Sequence, residues 1–138
     1  MDRIDGSRSK PVNIRQALAE FDDIYSPRIA GRVNTYDVKV AKARGDHVWH
    51  VHEDTDEFFL IIDGALNISM RDSGGVETAV RLGPWDTFVV PRGLEHKPDS
   101  PEGCSVLMFE PSGTSSTGDR HEGKLPDYVD ATTGHELD

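Results

Sequence analysis

The residue types able to do chemistry in this chain are concentrated in two short stretches. His50 and His52 stand two apart in the run Gly45-Asp46-His47-Val48-Trp49-His50-Val51-His52-Glu53-Asp54-Thr55-Asp56-Glu57. On an extended strand, residues two apart share a face and lie about 7 Å apart along the chain. Both imidazoles could therefore converge on one ion at nitrogen–metal distances of about 2.1 Å. Asp54, Thr55 and Asp56 make a polar turn, after which Glu57 opens the next strand beside the pair. Two imidazoles with a returning carboxylate form a metal face that leaves open positions for substrate or oxygen. Taken alone, the pair also fits two surface histidines on an edge strand. The second stretch, Trp85 to His96, holds a buried run, Phe88-Val89-Val90, before a tight turn shaped by Pro91 and Gly93. His96 follows that turn at a spacing that could bring it into the same cavity.

Positioning such groups falls to strands. Val38 and Val40 alternate with Lys39 and Ala41, Leu66, Ile68 and Met70 with Asn67 and Ser69, and Val76, Thr78, Val80 and Leu82 repeat the period of two. Turn signals separate these runs at Gly45-Asp46, Asp63-Gly64, Ser73-Gly74-Gly75, Gly83-Pro84 and Pro91-Arg92-Gly93. Many short strands at this spacing predict an all-β sandwich or barrel rather than a parallel α/β fold. One short helix is expected from Asn13 to Phe21, with Asn13 as N-cap, Gln16 at the capping-box position and Ile14, Ala17, Leu18 and Phe21 as its apolar stripe. The expected organisation is an N-terminal segment over residues 1–28, a barrel over 29–110 and an irregular, extended or partly disordered tail over 111–138.

The stretch from Gly45 to Gly64 resembles the first cupin motif, and Trp85 to Ser100 resembles the second. The likeness runs from about Ile29 to Glu110, with a short inter-motif segment like that of small single-domain cupins. Glu110-Pro111-Ser112-Gly113-Thr114 and Thr117-Gly118-Asp119 are similar to a phosphomannose-isomerase-like subgroup. The pattern departs from the family's at three places. Four residues rather than five separate Gly45 from His50, Trp85 stands where glycine is usual, and Ser100 replaces a frequent asparagine. The resemblance implies a double-stranded β-helix, or jelly-roll barrel, with His50, His52, Glu57 and His96 as ligands of one divalent transition metal. That donor set suits Fe, Mn, Ni, Cu or Zn and does not choose among them. Four protein ligands in an octahedral site leave two positions for a substrate or for substrate with O₂, which is a catalytic design. It also implies a homodimer, and apolar residues of both parities around the ligands (Trp49 and Val51, Phe58 and Leu60) require a cover outside the barrel, from the helix or a second chain.

Composition narrows the partners. Against 15 Lys and Arg stand 25 Asp and Glu, a formal charge of -10, with no basic stripe for nucleic acid and nothing to attract an acidic membrane surface. The longest apolar run, Phe58 to Ile62, is far too short to cross a bilayer. A single cysteine, Cys104, rules out an internal disulfide and, with no apolar leader at the start, fits a reducing cytoplasm. Cys104 reads as a small core residue, Asp86 as a strand-opening aspartate that holds its turn, and His47, three residues before His50, as a rim histidine pointing away from the cluster. His121 and His135 are expected to do nothing chemical. Tyr36, Lys42, Arg44 and Glu110 are strand-borne polar residues that could face the pocket, with Phe59 as an apolar lining. The functional expectation is a metal-dependent enzyme, of dioxygenase or isomerase type, acting on a small oxygen-rich or carbonyl substrate; the alternative is a non-catalytic metabolite- or metal-binding module. A metal-free sugar-nucleotide epimerase is disfavoured, because its site has no use for His-x-His with a spaced glutamate.

Overall fold

The computed structural model describes residues 10–137. Its helix α1 (Ile14–Ala19) begins where expected, the Asn13 side chain accepting from the Gln16 backbone N–H at 2.9 Å. Ten strands follow: β1 (Arg28–Val33), β2 (Tyr36–Asp46), β3 (His50–Val51), β4 (Glu57–Gly64), β5 (Leu66–Arg71), β6 (Glu77–Leu82), β7 (Thr87–Val90), β8 (Glu95–Pro111), β9 (Arg120–His121) and β10 (His135–Glu136). The expected all-β barrel is thus realised in one mixed sheet, in which, among the described residues, only β1 and β10 pair in parallel.

Strand β8 is the spine, pairing with β2, β3, β4 and β5. Its first half carries His96 opposite His50 on β3 and Met70 on β5. Its second half places Glu110 opposite Asp37 on β2, and Met108 between Lys39 and Phe59. The core gathers Ala41, Ala43, Phe59, Ile61, Leu66, Ile68, Val106 and Met108 around the interior of the barrel. Gly64, which ends β4, lies at φ +72 against β8, where an added Cβ would collide with the Gly103 carbonyl oxygen; only glycine fits both constraints.

Strand β2 runs opposite to the simplest reading of its alternation. Lys39 and Ala41 stand in the row that faces the barrel interior, whereas Val40 lies under α1 among Ala17, Leu18 and Phe21. The helix gives the outer face its own apolar cover, so hydrophobicity alone could not say which side of β2 was inside. The expected second cover also comes from this chain. Residues after Pro111 are largely irregular, as expected, but they are fastened to the barrel: β9 pairs with β3, β10 pairs with β1, and Thr117 and Val129 are buried. The tail lies over its own barrel, with Asp119 N–H donating to the Val51 carbonyl and Glu122 N–H to that of Trp49, both at 2.8 Å.

The departure at Trp85 has a visible consequence. Its φ of +71 is the left-handed conformation that glycine adopts freely, and its side chain is 68% exposed. The usual glycine is therefore a backbone requirement, which this chain meets with a strained tryptophan. Asp86 behaves as expected, its Oδ2 accepting from Gly83 N–H at 2.8 Å, and Cys104 is buried in the core.

Candidate metal centre

His50, His52, Glu57 and His96 come together in the barrel, all four buried, each offering a donor atom within 4.8 Å of the others. The supports differ. His50 sits on the two-residue strand β3 and His52 just beyond it, Glu57 opens β4, and His96 is the second residue of β8. Glu57 spans the group, its Oε1 lying 3.2 Å from His96 Nε2 and its Oε2 3.2 Å from His52 Nε2.

The imidazoles are set up as ligands. His50 Nδ1 lies 2.8 Å from the Val48 carbonyl oxygen, and His96 Nδ1 lies 3.0 Å from that of Leu94. A carbonyl accepts only, so each Nδ1 carries the proton and each Nε2 keeps its lone pair for an ion, the arrangement typical of metal-bound histidine. His52 Nε2 is buried and has no aligned hydrogen-bond partner among the described residues. Such a nitrogen is costly to bury unsatisfied, and a divalent cation would satisfy it together with the other three donors. The residues present fit a transition metal.

The electrostatics agree. Burial holds His50 well below the usual histidine value, helped by the neighbouring rings of His96 and His47, so it is a neutral donor. Burial also works against a charged His52, yet the Glu57 carboxylate outweighs it and leaves this imidazole raised. Glu57 is buried too, which would raise it, but His52 and His96 hold it well below the carboxylate range. The cluster therefore holds one firm negative charge facing three imidazoles.

Beside the cluster is a chamber of about 50 Å³, lined by His47, His50, Glu57 and Glu110 on its polar side. Phe59 lines it, with Ala41, Ala43, Leu66, Val106 and Met108 on the apolar wall. Glu110 is buried on Lys39, whose Nζ donates to Oε2 at 2.7 Å. Burial, reinforced by the charge of Glu57, pushes Glu110 up to about 8 despite Lys39. Lys42 touches the chamber, but its ammonium donates to the Phe21 carbonyl at 2.6 Å and lies over the Phe21 ring. Tyr36 is not among the lining residues; its ring stacks on Phe109 at 4.9 Å. Arg44 likewise lies outside the lining.

His47 corrects the expectation of a rim residue. It is 6% exposed, its ring centroid lies 4.6 Å from that of His50, and Tyr25 meets it edge-on at 4.9 Å. The reason is that residues 47–49 leave the strand between β2 and β3, so the period of two does not run from His47 to His50. Val48 N–H donates to His47 Nδ1 at 2.7 Å, so the proton of the neutral ring is on Nε2. Lys39 was missed altogether; its pairing opposite Met108, next to Glu110, is visible only once β2 and β8 are in register. His121 and His135 lie away from the cluster, paired with the Gly123 carbonyl and Asp130.

Comparison with known proteins agrees with this geometry. The uncharacterized protein YdbB of Bacillus subtilis is 33% identical over 89 residues, covering 64% of this chain and 75% of that protein. A cupin-2 domain protein of Shewanella frigidimarina is 36% identical, with a TM-score of 0.70 over 77% of this chain and 99% of that one. Protein NMB1881 of Neisseria meningitidis is 27% identical, with a TM-score of 0.63 over 75% of this chain and all of that one, 100%. The cupin domain model matches residues 36–110, the stretch that forms β2 to β8 and contributes all four clustered donors. A barrel closed around these side chains and a family match over most of its strands lead to the same conclusion, that this chain belongs to the cupin family.

Proposed function

We propose that this protein is a metal-dependent enzyme that binds one divalent transition metal through His50, His52, Glu57 and His96 and acts on a small oxygen-rich or carbonyl compound. The reaction is of dioxygenase or isomerase type. The observation that carries this reading is the convergence of four buried donors from β3 and its end, β4 and β8, with two Nε2 atoms freed by carbonyl-bound Nδ1–H groups. When bound, the ion supplies Lewis acidity and open positions for substrate oxygen or O₂. The chain's own residues do the rest. Glu57 balances charge, Phe59 and Met108 keep water from one wall, and His47 and Glu110 present polar groups to whatever enters.

Elemental analysis of purified protein tests the ligand assignment: about one transition metal per chain is expected, and replacing His50 and His52 by Ala abolishes it. Full occupancy in that double variant would defeat the assignment. Turnover is followed as oxygen consumption and substrate loss, over a panel running from two-carbon hydroxy and keto compounds to catechols and keto-sugars. Tight binding without turnover of any of them would instead mark a non-catalytic binding module.

A further inference from the structure

The chamber contains a polar group that the metal reading leaves unused. Glu110 is clamped at one oxygen, where Lys39 Nζ donates to Oε2 at 2.7 Å while also donating to the Thr114 carbonyl at 3.2 Å. Lys39 is 1% exposed and the Glu110 side chain 3% exposed, so neither can turn to water. The other oxygen, Oε1, is buried and has no hydrogen-bond partner among the described residues. Leaving a buried acceptor unsatisfied costs about 1–3 kcal/mol, and a clamped carboxylate cannot rotate to avoid it. The chamber is therefore preorganised for a ligand with a hydrogen-bonding group at Glu110.

Two further properties narrow that ligand. A volume of about 50 Å³ admits a small molecule, since each water-sized group needs roughly 10–15 Å³ and the space holds about three to five of them. The charges around it are Glu57 and Glu110 against Lys39, Lys42 and a divalent ion, a surplus of positive charge that favours an anion.

We propose that the site binds a two-carbon 2-hydroxycarboxylate, with its hydroxyl hydrogen-bonded to Glu110 Oε1 and its carboxylate toward the ion. This rests on the metal reading above and specifies its ligand. A hydroxyl donates to a carboxylate and accepts from a carboxylic acid, so the match does not depend on the protonation of Glu110. The other polar groups on the wall already have partners: the Tyr25 hydroxyl donates to the Gly45 carbonyl, the Lys42 ammonium to that of Phe21 and the Ser116 hydroxyl to that of Asp130, and His47 Nδ1 accepts from Val48 N–H, while a phenyl group exceeds the space.

The test is calorimetric binding to the full chain loaded with Zn(II), its occupancy checked by elemental analysis. Glycolate is expected to bind about tenfold or more tightly than acetate, which lacks only the hydroxyl, and mandelate, which carries the same head on a phenyl ring, not measurably. Because glycolate also chelates metals by itself, the deciding arm is the double variant Lys39→Met/Glu110→Leu, which removes the pair together. Its glycolate-to-acetate ratio should fall at least fivefold with zinc retained (about 1 kcal/mol). Equal affinities in the parent, an unchanged ratio in the double variant, or mandelate binding as tightly as glycolate overturns this inference alone. A chain that takes up no zinc or other transition metal overturns the metal reading, and this inference falls with it.

Discussion

The four donors reach the cluster from unlike supports. Glu57 and His96 belong to β4 and β8, strands paired on both sides within the barrel wall. His50 belongs to, and His52 directly follows, a two-residue strand whose inner edge meets β8 at one pair of residues and whose outer edge is held by β9 of the C-terminal segment. One half of the site is thus fixed by long-range sheet pairing that the whole fold needs. The other half is fixed by β9, an exposed two-residue strap that contributes no residue to the core. This difference implies that damage to the wall appears first as lost stability, whereas damage to the strap appears as weakened metal binding.

The largest effect is expected in the wall. Lys39→Met leaves the Glu110 carboxyl buried without its clamp, and breaking a buried pair from one side costs about 3–5 kcal/mol. Urea denaturation of the metal-free protein measures it. The double variant Lys39→Met/Glu110→Leu should recover most of the loss, because well-packed apolar replacements of a buried pair are close to neutral. If the single variant is as stable as the parent, the wall is more tolerant than its packing implies, and the contrast with the strap disappears.

His47 lies where the two supports meet, its backbone N–H donating to the Pro98 carbonyl of β8 at 2.9 Å. Burial pushes its imidazole down from 6.5 to about 4. The unfolded chain accepts a proton near the ordinary value, while the folded chain refuses it until far lower pH. Stability from this group is therefore complete above pH 6.5 and is lost as pH falls toward 4, at most about 3 kcal/mol. Unfolding free energies of metal-free protein between those limits should decline with a shallower slope in His47→Gln. Parallel slopes in parent and variant would show that His47 is accessible in the folded state.

How much of this was written in the sequence depends on whether a feature is local. The helix cap at Asn13, the turn at Asp86 and the face shared by Glu57, Phe59 and Ile61 follow from neighbours a few residues away, and they were legible. The convergence of four donors was legible through two motifs, because each motif encodes a turn together with its ligands. Parity failed where the chain breaks its own period: residues 47–49 leave the strand, so His47 turns inward beside His50, and α1 made the outer face of β2 as apolar as the inner. The Lys39–Glu110 pair joins residues 71 apart, and no local pattern marks a lysine that will be buried on an acid. The strap was hidden for a similar reason, since a polar, largely irregular segment is placed by backbone bonds to β3 rather than by any apolar rhythm of its own.

The strap is tested most directly at Gly118. It sits at φ +71 against the strand that carries the ligands, and an added Cβ would fall far inside contact distance of the Val51 carbonyl oxygen. Left-handed backbone alone costs a non-glycine residue about 1–2 kcal/mol, and the clash forces either the strap or β3 to move. The strap's other anchors here are backbone bonds and surface pairs: Asp119 N–H on Val51, Glu122 N–H on Trp49, the Asp119 carboxylate on Glu53 N–H at 2.8 Å, and the Arg120–Glu53 and Arg71–Glu122 pairs. It will therefore yield before the wall does. Gly118→Ala should lower the melting temperature modestly while weakening metal affinity about 10- to 100-fold, the range typical when a group that orients a metal ligand is displaced. Competition against a chromogenic chelator reads the affinity, and the metal-free melting temperature reads the fold. Parental affinity in this variant would mean that His50 and His52 are held by β8 alone, and that the strap covers the strand without positioning it.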